Sequence, residues 1–227
     1  MTGGLRIIDV EQGTDEWLEA RRGMITASTV GQLVTPRTIQ PAANPESRAL
    51  VARLAAERIT GWVDDGGMSA DMWRGVEDEP RARDLYGEHY APVTECGLMV
   101  RDLDDGVRLG YSPDGLVGDV GLIEVKSRKP GKHIQTVMAD QVPVEYMAQI
   151  QAGLLVSGRA WCDYISYSGG LPLWIIRVYP DEQWQTAIQA AVGAAEQVIA
   201  DTAACFAALT AGLPMTERTT YDLDMEV

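Results

Sequence analysis

Lysine is almost missing from this chain: Lys126, Lys129 and Lys132 are the only three, and all lie in one seven-residue window. Histidine is scarcer, with only His89 and His133, so a site built from several imidazoles is excluded. Cys96, Cys162 and Cys205 are far apart and form no Cys-x-x-Cys pair, which argues against a zinc site and a disulfide framework. They suit a reduced cytoplasm, as small buried hydrophobes. Any metal must then be held mostly by oxygen, which points to magnesium, with manganese as a substitute. A basic excess is lacking too: the formal charge is −14, unlike proteins that coat nucleic acid. No run approaches the roughly 18 uninterrupted apolar residues of a membrane span. Residues 1–6 show no basic block followed by an apolar one, so no secretory signal is expected.

What is present starts with the lysines. Lys126 closes a run in which Ser112-Pro113-Asp114 is followed, after nine residues, by Glu124-Val125-Lys126. Arginine never gives up its proton, whereas lysine is a compact charge whose pKa its site can lower. An Asp, then an acid and a lysine one position apart, is what metal-dependent phosphodiester cleavage needs. Two carboxylates hold a hard divalent cation, and the lysine steers or deprotonates the attacking water. On a strand, Glu124 and Lys126 share one face while Val125 points into the core. Read alone, the run is equally a surface strand with an ordinary ion pair. The segment from Lys126 to Lys132 carries four positive charges, and Arg128, Lys129 and Lys132 leave directly from the candidate metal site. They are either phosphate contacts or a solvated loop.

At 227 residues and 46% hydrophobic, residues 1–227 are read as one domain. Thr14 caps a first helix that stops at Gly23, and a second follows Thr26-Ala27-Ser28 and halts before Pro36. Residues 35–43 read as a mobile loop. Asn44-Pro45 starts a helix ended by Gly61. Residues 64–67 read as a turn, and a helix follows over 69–89. Short β-rich runs at 93–101, 106–112, 121–127, 161–168 and 173–179 come next, with a helix at 143–156 between the third and fourth. A helical region over 181–212, with a break near Gly193, precedes a tail at 214–227. Five of the six tryptophans, at 17, 73, 161, 174 and 184, read as core rather than as base-stacking platforms. The order gives an α/β layered fold, a central mixed sheet flanked by helices.

Glu11-Gln12-Gly13, Trp17, Arg21, Gly23 and Ile25-Thr26-Ala27-Ser28 resemble the N-terminal signature of the phage lambda exonuclease and YqaJ-type viral recombinases. Ser112-Pro113-Asp114-Gly115-Leu116 with Glu124-Val125-Lys126 is similar to that family's metal motif. Tyr146-Met147-Ala148-Gln149-Ile150-Gln151 resembles its helix after the sheet. The blocks keep the family's order over residues 10–180, and the implied fold is the PD-(D/E)xK nuclease core. The resemblance implies that Asp114, Glu124 and the Val125 carbonyl bind one magnesium ion, and Asp114 with an upstream acid a second. Spacing from Gly75 makes Glu79 the best match for that acid, ahead of Glu77 and Asp78. Pro80 directly after it disfavours helical geometry there. By the same resemblance Lys126 positions water, Gln149 supports the metals, and Arg21 and Ser28 grip a terminal 5′-phosphate. Without the signature, Ser28 is a helix cap and Arg21 an ion-pair partner.

The implied activity is processive 5′-to-3′ digestion of duplex DNA from an end, leaving 3′ single strands for phage-type recombination. The alternatives are a catalytically silent DNA-end-binding or scaffold protein and an endonuclease of the same superfamily. Superfamily nucleases with an iron–sulfur centre need four clustered cysteines, which this chain lacks. The partners implied are double-stranded DNA ends, two further copies of the chain in a trimeric ring, and a phage single-strand annealing protein. The implied location is the cytoplasm of a bacterial host.

Overall fold

In the computed structural model, which describes residues 4–63, 67, 69–103 and 106–218, two sheets share one helical cover. Strand β1 (Leu5–Ile8), β4 (Leu98–Asp102) and β5 (Arg108–Tyr111) form an antiparallel sheet in the order β1-β4-β5. The second sheet runs β6-β7-β8-β9: β6 (Gly115–Val117), β7 (Gly121–Ser127), β8 (Trp161–Tyr167) and β9 (Trp174–Val178). Its central pair, β7 and β8, is parallel and its outer pairs are antiparallel. A parallel pair needs a long crossover. Helices α5 (Pro130–Ala139) and α6 (Val144–Ser157) supply it.

The sheet is buried on both faces. On one, Leu122, Cys162 and Tyr164 join the main core with α2 (Ala27–Val30), α3 (Pro45–Thr60), α6 and α7 (Glu182–Leu209). On the other, Ile123, Val125 and Ile165 pack with Ala82 and Tyr86 of α4 (Ala70–His89). The Tyr86 hydroxyl donates to buried Asp163 on β8 at 2.7 Å, and Arg177 on β9 pairs with the same carboxylate. This network ties α4 to the sheet.

Capping residues end the helices where the sequence says they should. Thr14 accepts from the Trp17 amide ahead of α1 (Asp15–Arg21). Asn44 accepts from the Ser47 amide at 2.8 Å with Pro45 in the first turn of α3, and Gly61 closes that helix at φ +64°. Such caps contribute about 1 kcal/mol each. Arg58 of α3 donates to the Gly23 carbonyl and forms a two-pronged pair with Glu196 of α7. Helix α7 is, by length and composition, apolar enough to cross a membrane, yet Trp184, Ile188, Val192 and Ile199 on one stripe are buried in the core.

Several expectations are corrected. Residues 35–43 are not a featureless loop: β2 (Val34–Thr35) and β3 (Gln40–Pro41) form a small hairpin. Strands β1 and β6 were not anticipated, being short, and neither shows a clear alternation. The basic segment is not a loop, since after two residues it becomes α5, with Lys129 as its N-cap and Lys132 in its first turn. Helix α4 continues through Pro80. The carbonyl one turn back, at Val76, belongs to an exposed residue, so water can replace the lost amide donor. Helix α7 has no break at Gly193 and stops at Leu209. Trp184 is core, but Trp73 is 59% exposed, and Trp17, Trp161 and Trp174 are only half-buried. Cys162 is buried, Cys96 half-buried and Cys205 exposed. The turn expected at 64–67 lies, apart from Gly67, outside the described residues, as do residues 219–227 of the tail.

Candidate active site

Strand β6 pairs with β7 only as far as Ile123, so Glu124 to Ser127 run on past their neighbour. Asp114, just before β6, fills the gap: its Oδ2 accepts from the Val125 amide at 2.6 Å. In an extended strand a residue's N–H and C=O point to the same side, so the Val125 carbonyl also faces this free edge. Glu124 and Lys126 project from the opposite face to Val125 and touch, with Lys126 Nζ 2.6 Å from Glu124 Oε1. Gln149 Nε2 of α6 donates to the same oxygen, and the Tyr111 hydroxyl donates to Oε2 at 3.3 Å. The Glu124 carboxylate, fully buried, is thus held by three donors.

A cleft of about 680 Å³ opens here. Its floor includes Asp114, Val125 and Lys126, and its walls come from α4, through Arg74, Val76 and Glu79, and from the start of α5 and α6. Of the three upstream acids, Glu79 alone lines this cleft, with one oxygen 3.3 Å from Arg83. Asp78 is buried against Ser127 and Arg81, and Glu77 approaches Arg81 at 3.8 Å. Burial, then the charges of Glu124 and Glu79, push the Asp114 carboxyl well above the usual range. Burial likewise raises Glu79, against the pull of Arg83. For Lys126, burial lowers the pKa, but Glu124 and Asp114 together outweigh it and hold the side chain as an ammonium ion.

The N-terminal signature reaches this site directly. Trp17 Nε1 donates to Ser112 Oγ at 2.8 Å, and Gln12 donates to the Pro113 carbonyl at 2.9 Å. Both residues grip the turn that presents Asp114. The Arg21 guanidinium lies 3.8 Å from the Trp17 ring centre and donates to Thr26 and Ser28 hydroxyls at 3.2 and 3.1 Å. Among the described residues Arg21 forms no direct salt bridge, although the charge of Glu57 acts on it from nearby. Burial and nearby Arg53 lower its pKa to about 10, which leaves it charged at neutral pH.

The sequence matches the model of the YqaJ-like viral recombinase domain over residues 16–160. The chain belongs to this family. The alkaline exonuclease LHK-Exo from Laribacter hongkongensis is 34% identical, with a TM-score of 0.77 over 88% of this chain and all of that one. The same enzyme in complex with dAMP superposes with a TM-score of 0.76. A phage-related exonuclease from Haemophilus somnus 129PT, at 14% identity and a TM-score of 0.61 over 81% of this chain and 96% of that one, shares the fold. Among curated proteins, no sequence matches. The mixed α/β architecture is therefore the PD-(D/E)xK nuclease fold of the YqaJ-like family.

In this YqaJ-like chain, Asp114, Glu124, Val125, Lys126, Glu79 and Gln149 come together, and Arg21 meets Ser28. Lys129 and Lys132 line the cleft, with Lys129 Nζ 3.3 Å from Asp71. Arg128 is not a solvated charge: its side chain is only 8% exposed, near Glu145 and over the Tyr146 ring. Tyr111 and Arg74 went unread in the sequence, and Tyr146 was read only as part of the helix block and given no place at the site. Tyr111 directly precedes Ser112-Pro113-Asp114, so its place was a usable signal. Arg74, which donates to Ser127 Oγ at 3.0 Å, left none.

Proposed function

We propose that this chain is a metal-dependent DNA exonuclease that digests the 5′ strand of a duplex from its end, processively, and leaves 3′ single strands for phage-type recombination. The observation that carries this reading is the meeting of Asp114, Val125 and Lys126 on the floor of a cleft, with Glu124 buried directly behind Lys126 and with Arg74, Lys129 and Lys132 among the walls. Family membership and the likeness to an alkaline exonuclease support it.

The donor set fits a hard divalent cation. The buried Glu124 carboxylate lies close to the half-buried Asp114 carboxylate, whose charge its surroundings oppose, which is the imbalance a cation relieves. Among the described residues no three His, Cys, Asp or Glu side chains cluster tightly enough to hold an ion alone. The remaining ligands would be the Val125 carbonyl, water and substrate phosphate oxygens, which is magnesium's habit. Asp114 and Glu124 would hold the ion, with Glu79 as the upstream acid for a second. Magnesium, when bound, supplies charge stabilisation to the phosphate under attack and acidifies a water.

The chain's own groups do the rest. Lys126, kept protonated by Glu124 and Asp114, donates toward the water that attacks phosphorus and orients it. Gln149 fixes the Glu124 carboxylate. Arg21, stacked on Trp17 and backed by Ser28, grips the terminal 5′-phosphate and sets the register of the end. Lys129 and Lys132 neutralise the strand beyond the scissile bond, with Arg128, largely buried at the cleft wall, behind them. Residues 1–227 act as one nuclease domain. By family likeness the working form is a ring of three copies in the bacterial cytoplasm, in company with a single-strand annealing protein. Duplexes labelled at the 5′ or 3′ end test this reading. Magnesium should release 5′ label as mononucleotide and leave a covalently closed circle intact. Release of 3′ label first, or cutting of the circle, would overturn it.

A further inference from the structure

Glu124 is held from two sides, and the two are not equivalent. Lys126 and Gln149 share Oε1. Among the described residues Oε2 has a single donor, the Tyr111 hydroxyl, which reaches it from the core side of β5. Tyr111 is 2% exposed, and Glu124 is the acceptor its hydroxyl finds there. A buried phenol needs such a partner.

The space for this phenol is made by a glycine. A Cβ on Gly153 would stand 2.7 Å from Tyr111 Cζ and 2.9 Å from Cε1, closer than carbon atoms approach. Gly153 lies four residues after Gln149 on α6, so both occupy one face of the helix. Within one turn, that face gives Glu124 an amide on one oxygen and admits the ring that serves the other. The family resemblance drawn from the sequence covered residues 146–151 of this helix and stopped before Gly153.

We infer that Tyr111, seated against Gly153, is a positioning residue that sets the plane of the Glu124 carboxylate for the divalent cation. This rests on the proposed role of Glu124 as a metal ligand. Neighbours that orient a ligand commonly change metal affinity by about 10–100-fold when removed. A carboxylate held at Oε1 alone can rotate about its last bond, and a Glu has a broad, nearly two-fold torsion there.

The test compares wild type, Tyr111→Phe and Gly153→Ala in the full chain by calorimetric titration with Mn²⁺ and by magnesium-dependent kinetics on a linear duplex. Tyr111→Phe should weaken Mn²⁺ binding about tenfold and raise the magnesium concentration for half-maximal rate similarly. At saturating magnesium its kcat should return to within a few-fold of wild type. Gly153→Ala should show the same shift with a lower melting temperature, because the ring must move. Unchanged Mn²⁺ affinity in Tyr111→Phe would overturn the inference. So would a lowered kcat that magnesium does not restore, which marks a merely structural tyrosine. Glu124→Gln separates the two levels: if it too binds Mn²⁺ normally, the metal-site reading fails, and not only the role of Tyr111.

Discussion

Neutralising the two central carboxylates should move stability in opposite directions, although the residues are neighbours with the same charge. In EDTA, burial and acidic neighbours oppose a negative charge on Asp114. Its pKa is raised in the folded state, so the native protein binds the proton more tightly than the unfolded chain. That contribution is complete below the ordinary carboxylate range and is lost as pH rises through the raised value. At pH 7 Asp114→Asn therefore removes a penalty, while its Oδ1 can still accept from the Val125 amide. Removing a charge that burial and like charges oppose is stabilising in sign.

Glu124 is the reverse case. Glu124→Gln strands Lys126 and sets a new amide donor among three donors that need an acceptor. Breaking a buried pair costs about 3–5 kcal/mol. The Lys126 side chain is 22% exposed, so water can reach it, and the lower end, about 3 kcal/mol, applies. For a chain of this size 1 kcal/mol is about 2–4 °C. Thermal melts in EDTA at pH 7 should show Asp114→Asn above wild type and Glu124→Gln about 6–12 °C below. Two falls of equal size, or a fall for Asp114→Asn alone, would refute the charge arrangement described.

Lys126→Arg should lose about a hundredfold in rate, nearly as much as Lys126→Ala, because the flat guanidinium cannot present one donor from the space beside Glu124 and Tyr146. Single-turnover rates within a few-fold of wild type would end the water-orienting role. Arg21→Ala should digest 5′-phosphorylated and 5′-hydroxyl ends at similar low rates. A charge-assisted contact of about 1.5–3 kcal/mol corresponds to a ten- to hundredfold loss of end engagement. A retained phosphate preference, measured as the ratio of kcat/KM on the two ends, would make Arg21 structural.

The candidate site was legible because it is local. Asp114, Glu124 and Lys126 sit within thirteen residues, and strand alternation alone puts Glu124 and Lys126 on one face. The long helices were legible from their caps, as at Asn44 and Gly61. What escaped depends on distant partners. Strand β1 has no periodic signal, and exists because β4 offers its backbone edge. Pro80 was read on local grounds as disfavouring helical geometry at Glu79, whereas α4 runs through it, held by Tyr86 on Asp163 and by Ala82 in the core. Trp17 was read as core from its place on a helix. Its indole N–H instead spans 95 positions of sequence to hold Ser112. Tyr111 and Gly153 are 42 residues apart, and no spacing rule joins them.

The account stands most directly on nucleotide release from a linear duplex across a magnesium titration, by wild type, Asp114→Asn and Glu124→Gln. Wild type should be silent in EDTA and saturate with magnesium. Both variants should fall by on the order of a thousandfold and stay there at saturating magnesium, while remaining folded. Near-normal release by either variant would contradict the assignment of Asp114 and Glu124 as the metal-holding pair.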